Sequence, residues 1–455
     1  MNQKKPDMGS ERIPKLLAML AIPAVIAQIV NLLYNIVDRI YIGHIPEIGA
    51  SALTGVGLFP PILMFLTAFA MLVGAGGAPR AAIAMGRKDK EAAEHILGNS
   101  FTALLGFAAS LTVVFYLLAP KMLRLFGASD VTLPYALSYA RIYILGSVFV
   151  LTVLGMNPFI TTQGFAKISM MTTMIGAVIN IVLDPIFIFV LKMGVRGAAT
   201  ATVLSQAVGA VWILRFLTGD KTILRLSRKN MKLKASVLLP CMALGISTFV
   251  MMSTESLLSI SFTSSLSRYG GDLAVGAMTI ITSVNQLVTM PCSGLLQGAQ
   301  PIISFNFGAG NKERVKQTFR LALTICVSFT TLFFLLCMFA PGLLSGIFTS
   351  NQELVNYTGW AMRIYMAGIF SIGFQLTCQQ SFMALGQAKI SLLMACLRKL
   401  ILLIPLIFIL PLFMADKTFA VFLAEPVSDI IAATVTTTMF FTRIDKILGK
   451  GAGKI

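Results

Sequence analysis

Apolar stretches of about 20 residues or more recur along this chain from Leu16 to Phe441, and nothing else in it so narrows what it can fold into. In hydrocarbon every backbone amide needs a partner within its own segment, so stretches of that length read as membrane-spanning helices. A spanning β-barrel would instead show alternating segments of about ten residues, and none is visible. Charged residues make up 12% of the sequence against 56% hydrophobic. A water-soluble domain carries about a quarter. The apolar run after the polar, basic segment Met1–Lys15 is too long for a signal peptide and reads as a retained first helix.

The expected fold is an all-α membrane protein with twelve transmembrane helices. They are predicted roughly at 16–43, 51–79, 95–119, 133–161, 168–191, 196–217, 237–266, 273–304, 318–341, 356–384, 390–414 and 418–441. The formal net charge of +18 would suggest nucleic acid in a soluble protein. Here its placement argues otherwise. Counted over the predicted loops and termini, about 23 Lys and Arg fall on the side of the N-terminus and about 5 on the other, with about 8 inside helices. That bias puts both termini in the cytoplasm of a multi-pass plasma-membrane protein, and anionic lipid gives the basic loops a partner. No basic stretch is interleaved with aromatics, so nucleic acid is not an expected partner.

The longest inner loop, Thr218 to Ser236, holds Lys221, Arg225, Arg228, Lys229, Lys232 and Lys234. It reads first as an orientation signal on a linker. It divides the chain into a lobe at 1–217, a basic cytoplasmic linker at 218–236 and a lobe at 237–455. An internal repeat supports that division. Gly164-x-Ala166-Lys167-Ile168-Ser169 returns 222 residues later as Gly386-x-Ala388-Lys389-Ile390-Ser391. Arg141-Ile142-Tyr143-x-x-Gly146 returns at the same offset as Arg363-Ile364-Tyr365-x-x-Gly368, Gly76-x-x-Pro79 as Gly298-x-x-Pro301, and Gly86-x-x-Asp89-Lys90-Glu91 as Gly308-x-x-Asn311-Lys312-Glu313. The offset spans an even number of helices, so two six-helix bundles of like orientation are expected, related by a pseudo-twofold axis along the membrane normal. Substrate would bind between them. One chain then holds both lobes, and a monomer is expected.

Five acids fall inside predicted helices: Asp38, Asp184, Glu255, Glu425 and Asp429. Ionisable groups at membrane depth face cavities or partners. Counting the rise per residue from the outer ends puts Asp38 about 7 Å, Thr202 about 9 Å and Asp184 about 10 Å deep. Asn180 lies one turn below Asp184 on the same face. The four can converge in the outer half of the first lobe as an oxygen-rich site for a hard monovalent cation, or as a carboxylate pair that binds protons. A structural hydrogen-bond cluster is the plainer reading. Against it, the 222-residue offset maps Asn180 to Leu402, Asp184 to Leu406 and, more loosely, Asp38 to Ile260. A need of the fold itself would recur in both halves. Pro185 removes one helical hydrogen bond, frees the carbonyl of Ile181 and gives a hinge. Glu255, near mid-depth, is a candidate for cationic substrate or for protons. Glu425 and Asp429 either line the second lobe's cavity or pair with Arg398 and Lys399. Arg141 and Arg363 recur in both halves and read as architectural.

The six cysteines show no metal-ligand spacing and read as buried thiols. No nucleophile–base pair or cofactor motif is visible, so neither an enzyme nor a cofactor is expected. The only metal would be Na+ at Asp38, Asn180, Asp184 and Thr202. The 25 Met and 32 Phe are mostly ordinary membrane core, with a minority able to line a pocket for ligands of many shapes.

Certain stretches carry a resemblance. They are Leu33-Tyr34-Asn35-Ile36-Val37-Asp38, Asn180-Ile181-Val182-Leu183-Asp184-Pro185, and Gly194-Val195-Arg196-Gly197-Ala198-Ala199 leading to Thr200 and Thr202. With the twofold repeat they make the chain resemble the multidrug and toxic compound extrusion (MATE) transporters over essentially its whole length, closest to a bacterial multidrug-efflux branch. The resemblance implies an antiporter driven by Na+ or H+ that exports drugs and organic cations by alternating access. It implies that Asp38, Asn180, Asp184 and Thr202 form the cation site, with Tyr34 near it. Glu255 resembles a second-lobe acid of one branch, but Gln375, Gln379 and Gln380 stand where a carboxylate would complete that site. The alternative is a lipid or lipid-linked oligosaccharide flippase of the same superfamily. That function favours several arginines in a central cavity, and Arg39 is the one clear candidate.

Overall fold

Polar breaks in the sequence become the joints of an all-helical chain. The computed structural model describes residues 7–45, 52, 55–126, 128–348 and 351–450, without the side chains of residues 32, 35, 36, 39, 256, 272 and 450. Every regular element among them is helical. α1 spans Ile13–Gly43, α2 Pro60–Gly86, α3 Lys90–Leu125, α4 Leu133–Leu145, α5 Ser147–Thr162, α6 Ala166–Val190 and α7 Val195–Thr218. α8 covers Ala235–Gly271 and α9 Leu273–Gly308. α10 follows at Lys312–Phe339, α11 at Pro341–Gly346, α12 at Gln352–Tyr365, α13 at Ile369–Ala384, α14 at Ala388–Phe413 and α15 at Lys417–Lys450.

The expected twelve spans are not all present as single apolar helices. Among the described residues ten helices are long and apolar enough to cross a bilayer, or eleven if α4 and α5, bent by 57°, count as one. The expected span at 356–384 is two pieces, α12 and α13, joined by a 3-10 turn at Met366–Gly368. α12 opens on Gln352, Glu353 and Asn356, too polar a start for a span. The break repeats: α4 ends against Gly146, and Gly368 is its counterpart 222 residues on. The helix expected at 51–79 begins at Pro60, and most of 51–54 lies outside the described residues.

By contacts the chain falls into two units, Met1–Asp7 with Ile22–Phe249, and Met8–Ala21 with Val250–Ile455. These boundaries run inside α1 and α8 rather than at the 218–236 linker. In the first unit α2 packs on α3 and α5. A Cβ at Gly74 would stand 2.7 Å from the carbonyl oxygen of Gly155, so only glycine lets these two backbones meet. The linker is bound along its length. Gln163 Oε1 accepts from Thr222 Oγ1 at 2.7 Å, Ile223 N at 2.7 Å and Leu224 N at 2.8 Å. Further on, Lys234 N donates to Asn99 Oδ1 at 2.6 Å and Thr102 Oγ1 to the Met231 carbonyl at 2.8 Å. In the second unit α13 packs on α10 and α15. There Arg314 donates to the carbonyls of Met8, at 2.9 Å, and Glu11, at 2.8 Å.

The repeated motifs adopt the same local structure in each unit. Gly164 and Gly386 take φ of 90° and 71°, left-handed values that a side chain resists. Asp89 caps α3 by accepting from Ala92 N at 3.0 Å, and Asn311 caps α10 by accepting from Arg314 N at 3.3 Å. Arg141 lies 5.5 Å over the ring of Tyr116. Arg363 donates to the carbonyl of Met338, the residue 222 positions after Tyr116, at 3.0 Å. Both arginines tie a helix to its neighbour, as architectural residues do. All six cysteines are unbridged.

Candidate functional site

Asn180 and Asp184 are one turn apart on α6, so both point at the same neighbour, α7. Asn180 Nδ2 donates to Asp184 Oδ1 at 3.1 Å and to Thr202 Oγ1 at 3.3 Å. Thr202 Oγ1 in turn donates to the carbonyl of Ala198 at 3.0 Å. Asp184 is fully buried, and Asn180 and Thr202 nearly so. From α1, Asp38 brings its carboxyl within hydrogen-bonding reach of Asp184. Two carboxyl groups so close need a proton between them or a cation on them. Asp184 Oδ2 and Asn180 Oδ1 are buried and accept no donor among the described residues. Unused acceptor oxygens beside a second acid suit a hard monovalent cation or protons.

Pro185 follows directly, and the winding widens there into a π-helical turn at Ile186–Val190. The Leu191 amide bonds to the Ile186 carbonyl at 2.8 Å. The expected hinge thus coincides with an actual change of helix geometry. Tyr34 lies within electrostatic reach of Tyr139 and Tyr143, the two α4 tyrosines that face Asp38.

Those two tyrosines were not anticipated. Tyr139 faces Thr202 across the α4–α7 contact. Its ring stacks on Tyr143 with centroids 6.0 Å apart, and Phe59 packs against both. A signal for Tyr139 exists in the sequence. Its counterpart at the 222-residue offset is Ala361, the same loss of polarity that singled out Asn180 and Asp184. Tyr143 recurs as Tyr365 and would not have stood out.

Glu255, Glu425 and Asp429 do not join this cluster. They lie in the second unit with Arg398 and Lys399 of α14. Arg398 Nε donates to Asp429 Oδ1 at 2.6 Å and Nη2 to Glu425 Oε1 at 3.2 Å. Lys399 pairs with Glu255. Of the glutamines expected to weaken a second-lobe ion site, Gln379 donates to Met251 Sδ at 3.0 Å. The side chain of Arg39 lies outside the described residues.

The profile of the MatE family matches residues 23–186 and 247–409, once in each half. The multidrug export protein MepA of Staphylococcus aureus (strain N315) is 25% identical over 408 residues, 88% of each chain. MepA of Staphylococcus haemolyticus is 24% identical over 390 residues, covering 86% of this chain and 85% of that one. Among solved structures, a MATE protein in its bent conformation superposes with a TM-score of 0.91 at 23% identity, over 97% of this chain and 98% of the other. A transporter of the MOP superfamily from Pyrococcus furiosus does so with 0.89 at 22%, over 98% and 99%. A twofold profile match across most of the chain, on a fold shared end to end, leaves one assignment: this multi-pass membrane protein belongs to the MATE family of transporters.

Proposed function

We propose that this protein is a cation-coupled antiporter that exports amphipathic, often cationic, organic compounds by alternating access. The observation that carries this reading is the difference between the units. The first holds an acid pair, Asp184 buried and Asp38 half-buried, with an amide, a hydroxyl and unused acceptor oxygens. At the offset positions of Asn180, Asp184 and Thr202 the second holds Leu402, Leu406 and Ala424. Chemistry present in one copy of a repeat answers to function rather than to folding.

In this mechanism Na+ or H+ from outside occupies Asp38, Asn180, Asp184 and Thr202. Occupation changes the winding of α6 at Pro185 and lowers affinity for drug. The empty site favours reloading from within. Each charge crossing yields about 2.3 kcal/mol per 100 mV. Only a difference in ion affinity between the two states transmits it to the cargo. The relatives' activity in multidrug export supports the cargo class.

Dye efflux in everted vesicles, energised separately by Na+ and by a pH gradient, tests this reading. Ethidium should be pumped under one gradient or both, and the Asp184→Asn variant should lose it. Full efflux by Asp184→Asn at normal protein levels overturns the site assignment.

A further inference from the structure

The second unit holds five ionisable side chains in one network that the proposed ion site does not use. α14 changes to π-helical winding at Leu397–Leu403, and the neighbouring Arg398 and Lys399 reach different helices from it. Arg398 takes both acids of α15, Glu425 and Asp429. Lys399 reaches α8, where it pairs with Glu255 and also donates to the carbonyl of Met251 at 3.3 Å. Tyr365 of α12 faces the same group. π-Helical turns inside α-helices concentrate at functional sites.

We propose that Glu255 binds the positive group of an organic cation, a protonated amine or a quaternary ammonium, and that Lys399 is a built-in competitor for the same carboxylate. Two observations carry this. The first is exposure. Lys399 is buried, its side chain 6% exposed, whereas that of Glu255 is 51% exposed. A carboxylate on a spanning helix is not left facing hydrocarbon, so its open side faces water. In the other pairs the acids are buried and the Arg398 side chain is only 14% exposed, so a solute cation has little access to either carboxylate. The second is charge. Three acids face two bases, so the network carries one acid in excess. Glu425 Oε2 is buried and takes no hydrogen bond among the described residues. Lys399 is within electrostatic reach of Glu425. When a cation claims Glu255, Lys399 keeps the Met251 carbonyl it already donates to and the field of Glu425 nearby.

The device makes the empty protein its own occupant. A neutral solute has nothing to displace Lys399 with, so selection for positive charge follows from the pairing. A buried ion pair is costly to break by removing one partner. Exchanging one cation for another avoids leaving either carboxylate bare.

This inference rests on the reading that organic cations are the cargo, and its test is equilibrium binding, which needs no coupling ion. Ethidium binding to the purified full-length protein in lipid nanodiscs is followed by fluorescence without any gradient. Lys399→Met should bind ethidium severalfold more tightly than wild type, Lys399→Arg like wild type, and Glu255→Gln severalfold more weakly. In the Glu255→Gln background Lys399→Met should have no further effect, since the two act through one carboxylate. Monodisperse elution and an unchanged melting temperature show that the variants fold. Unchanged or weaker binding by Lys399→Met overturns the proposal, as does an effect that persists without Glu255, or no binding by either protein. If Asp184→Asn abolishes efflux while Lys399→Met binds no tighter, the antiport reading stands and this inference alone falls.

Discussion

Asn180 Nδ2 donates to Asp184 Oδ1, one helical turn further along α6, at 3.1 Å. The bond fixes which way the amide faces. With its nitrogen spent on Asp184 and Thr202, Asn180 turns its oxygen away as a buried acceptor. In the proposed mechanism an amide held so is a ligand set in advance, and its orientation costs nothing when an ion arrives.

If those groups serve transport rather than folding, grafting the second half's residues onto the first should separate the two. The double variant Asn180→Leu with Asp184→Leu copies Leu402 and Leu406. Replacing both members of a buried polar pair by apolar groups of like shape can be nearly neutral or stabilising. The melting temperature should hold or rise while dye efflux falls to background. Thermal unfolding in detergent and efflux on the same preparation check both halves of the expectation.

Tyr139→Phe should weaken coupling without abolishing it. It deletes the hydroxyl that faces Thr202 and leaves the ring stacked on Tyr143. A net hydrogen bond is worth about 0.5–1.5 kcal/mol. The gradient needed for half-maximal efflux should therefore rise by a few-fold, with protein level unchanged. Efflux titrated against the driving ion measures it.

Gly74→Val should destabilise the first unit. The added carbons would enter the backbone of Gly155, which has no rotamer to escape into. Overpacking of this kind costs about 1–3 kcal/mol, and a backbone neighbour puts it at the upper end. A lower melting temperature and a smaller monodisperse fraction are expected.

Gln163→Leu should release the linker. It leaves the half-buried Ile223 and the buried Leu224 amides without their acceptor, at about 1–3 kcal/mol for the buried one. Trypsin should then cut after Lys221, Arg225, Arg228 or Lys229 faster than in wild type. Limited proteolysis followed by mass spectrometry reads the sites directly.

The sequence was most legible where one physical demand dominates. Hydrocarbon requires long apolar helices, and the spans expected at 168–191, 196–217 and 390–414 match observed helices to within two residues at each end, whereas that at 418–441 stops nine residues short of Lys450. The repeat located Gly164 and Gly386, whose left-handed backbone is the reason the motif is kept. Asn180, Asp184 and Thr202 could be brought together because two of them share a helix face and the third lies at a matching depth. Tyr139 escaped although the same count from residue 133 puts it about 9 Å deep, because a tyrosine in an apolar helix passes for ordinary packing. The break between α12 and α13 escaped because periodicity continues smoothly across Gly368. The hold on the linker also escaped. A run of lysines and arginines advertises its charge, while what fastens it is the side-chain oxygen of one glutamine far away in the chain.

That fastening bears on how a duplicated protein is joined. A seam between two copies is usually slack, tolerant of insertions and a convenient place to cut. Here the joining strip is stitched to the first copy at Gln163 and again at Asn99. Any attempt to express the halves as separate chains should leave the whole strip with the first, because a scission at its front edge would orphan the stitches rather than the slack.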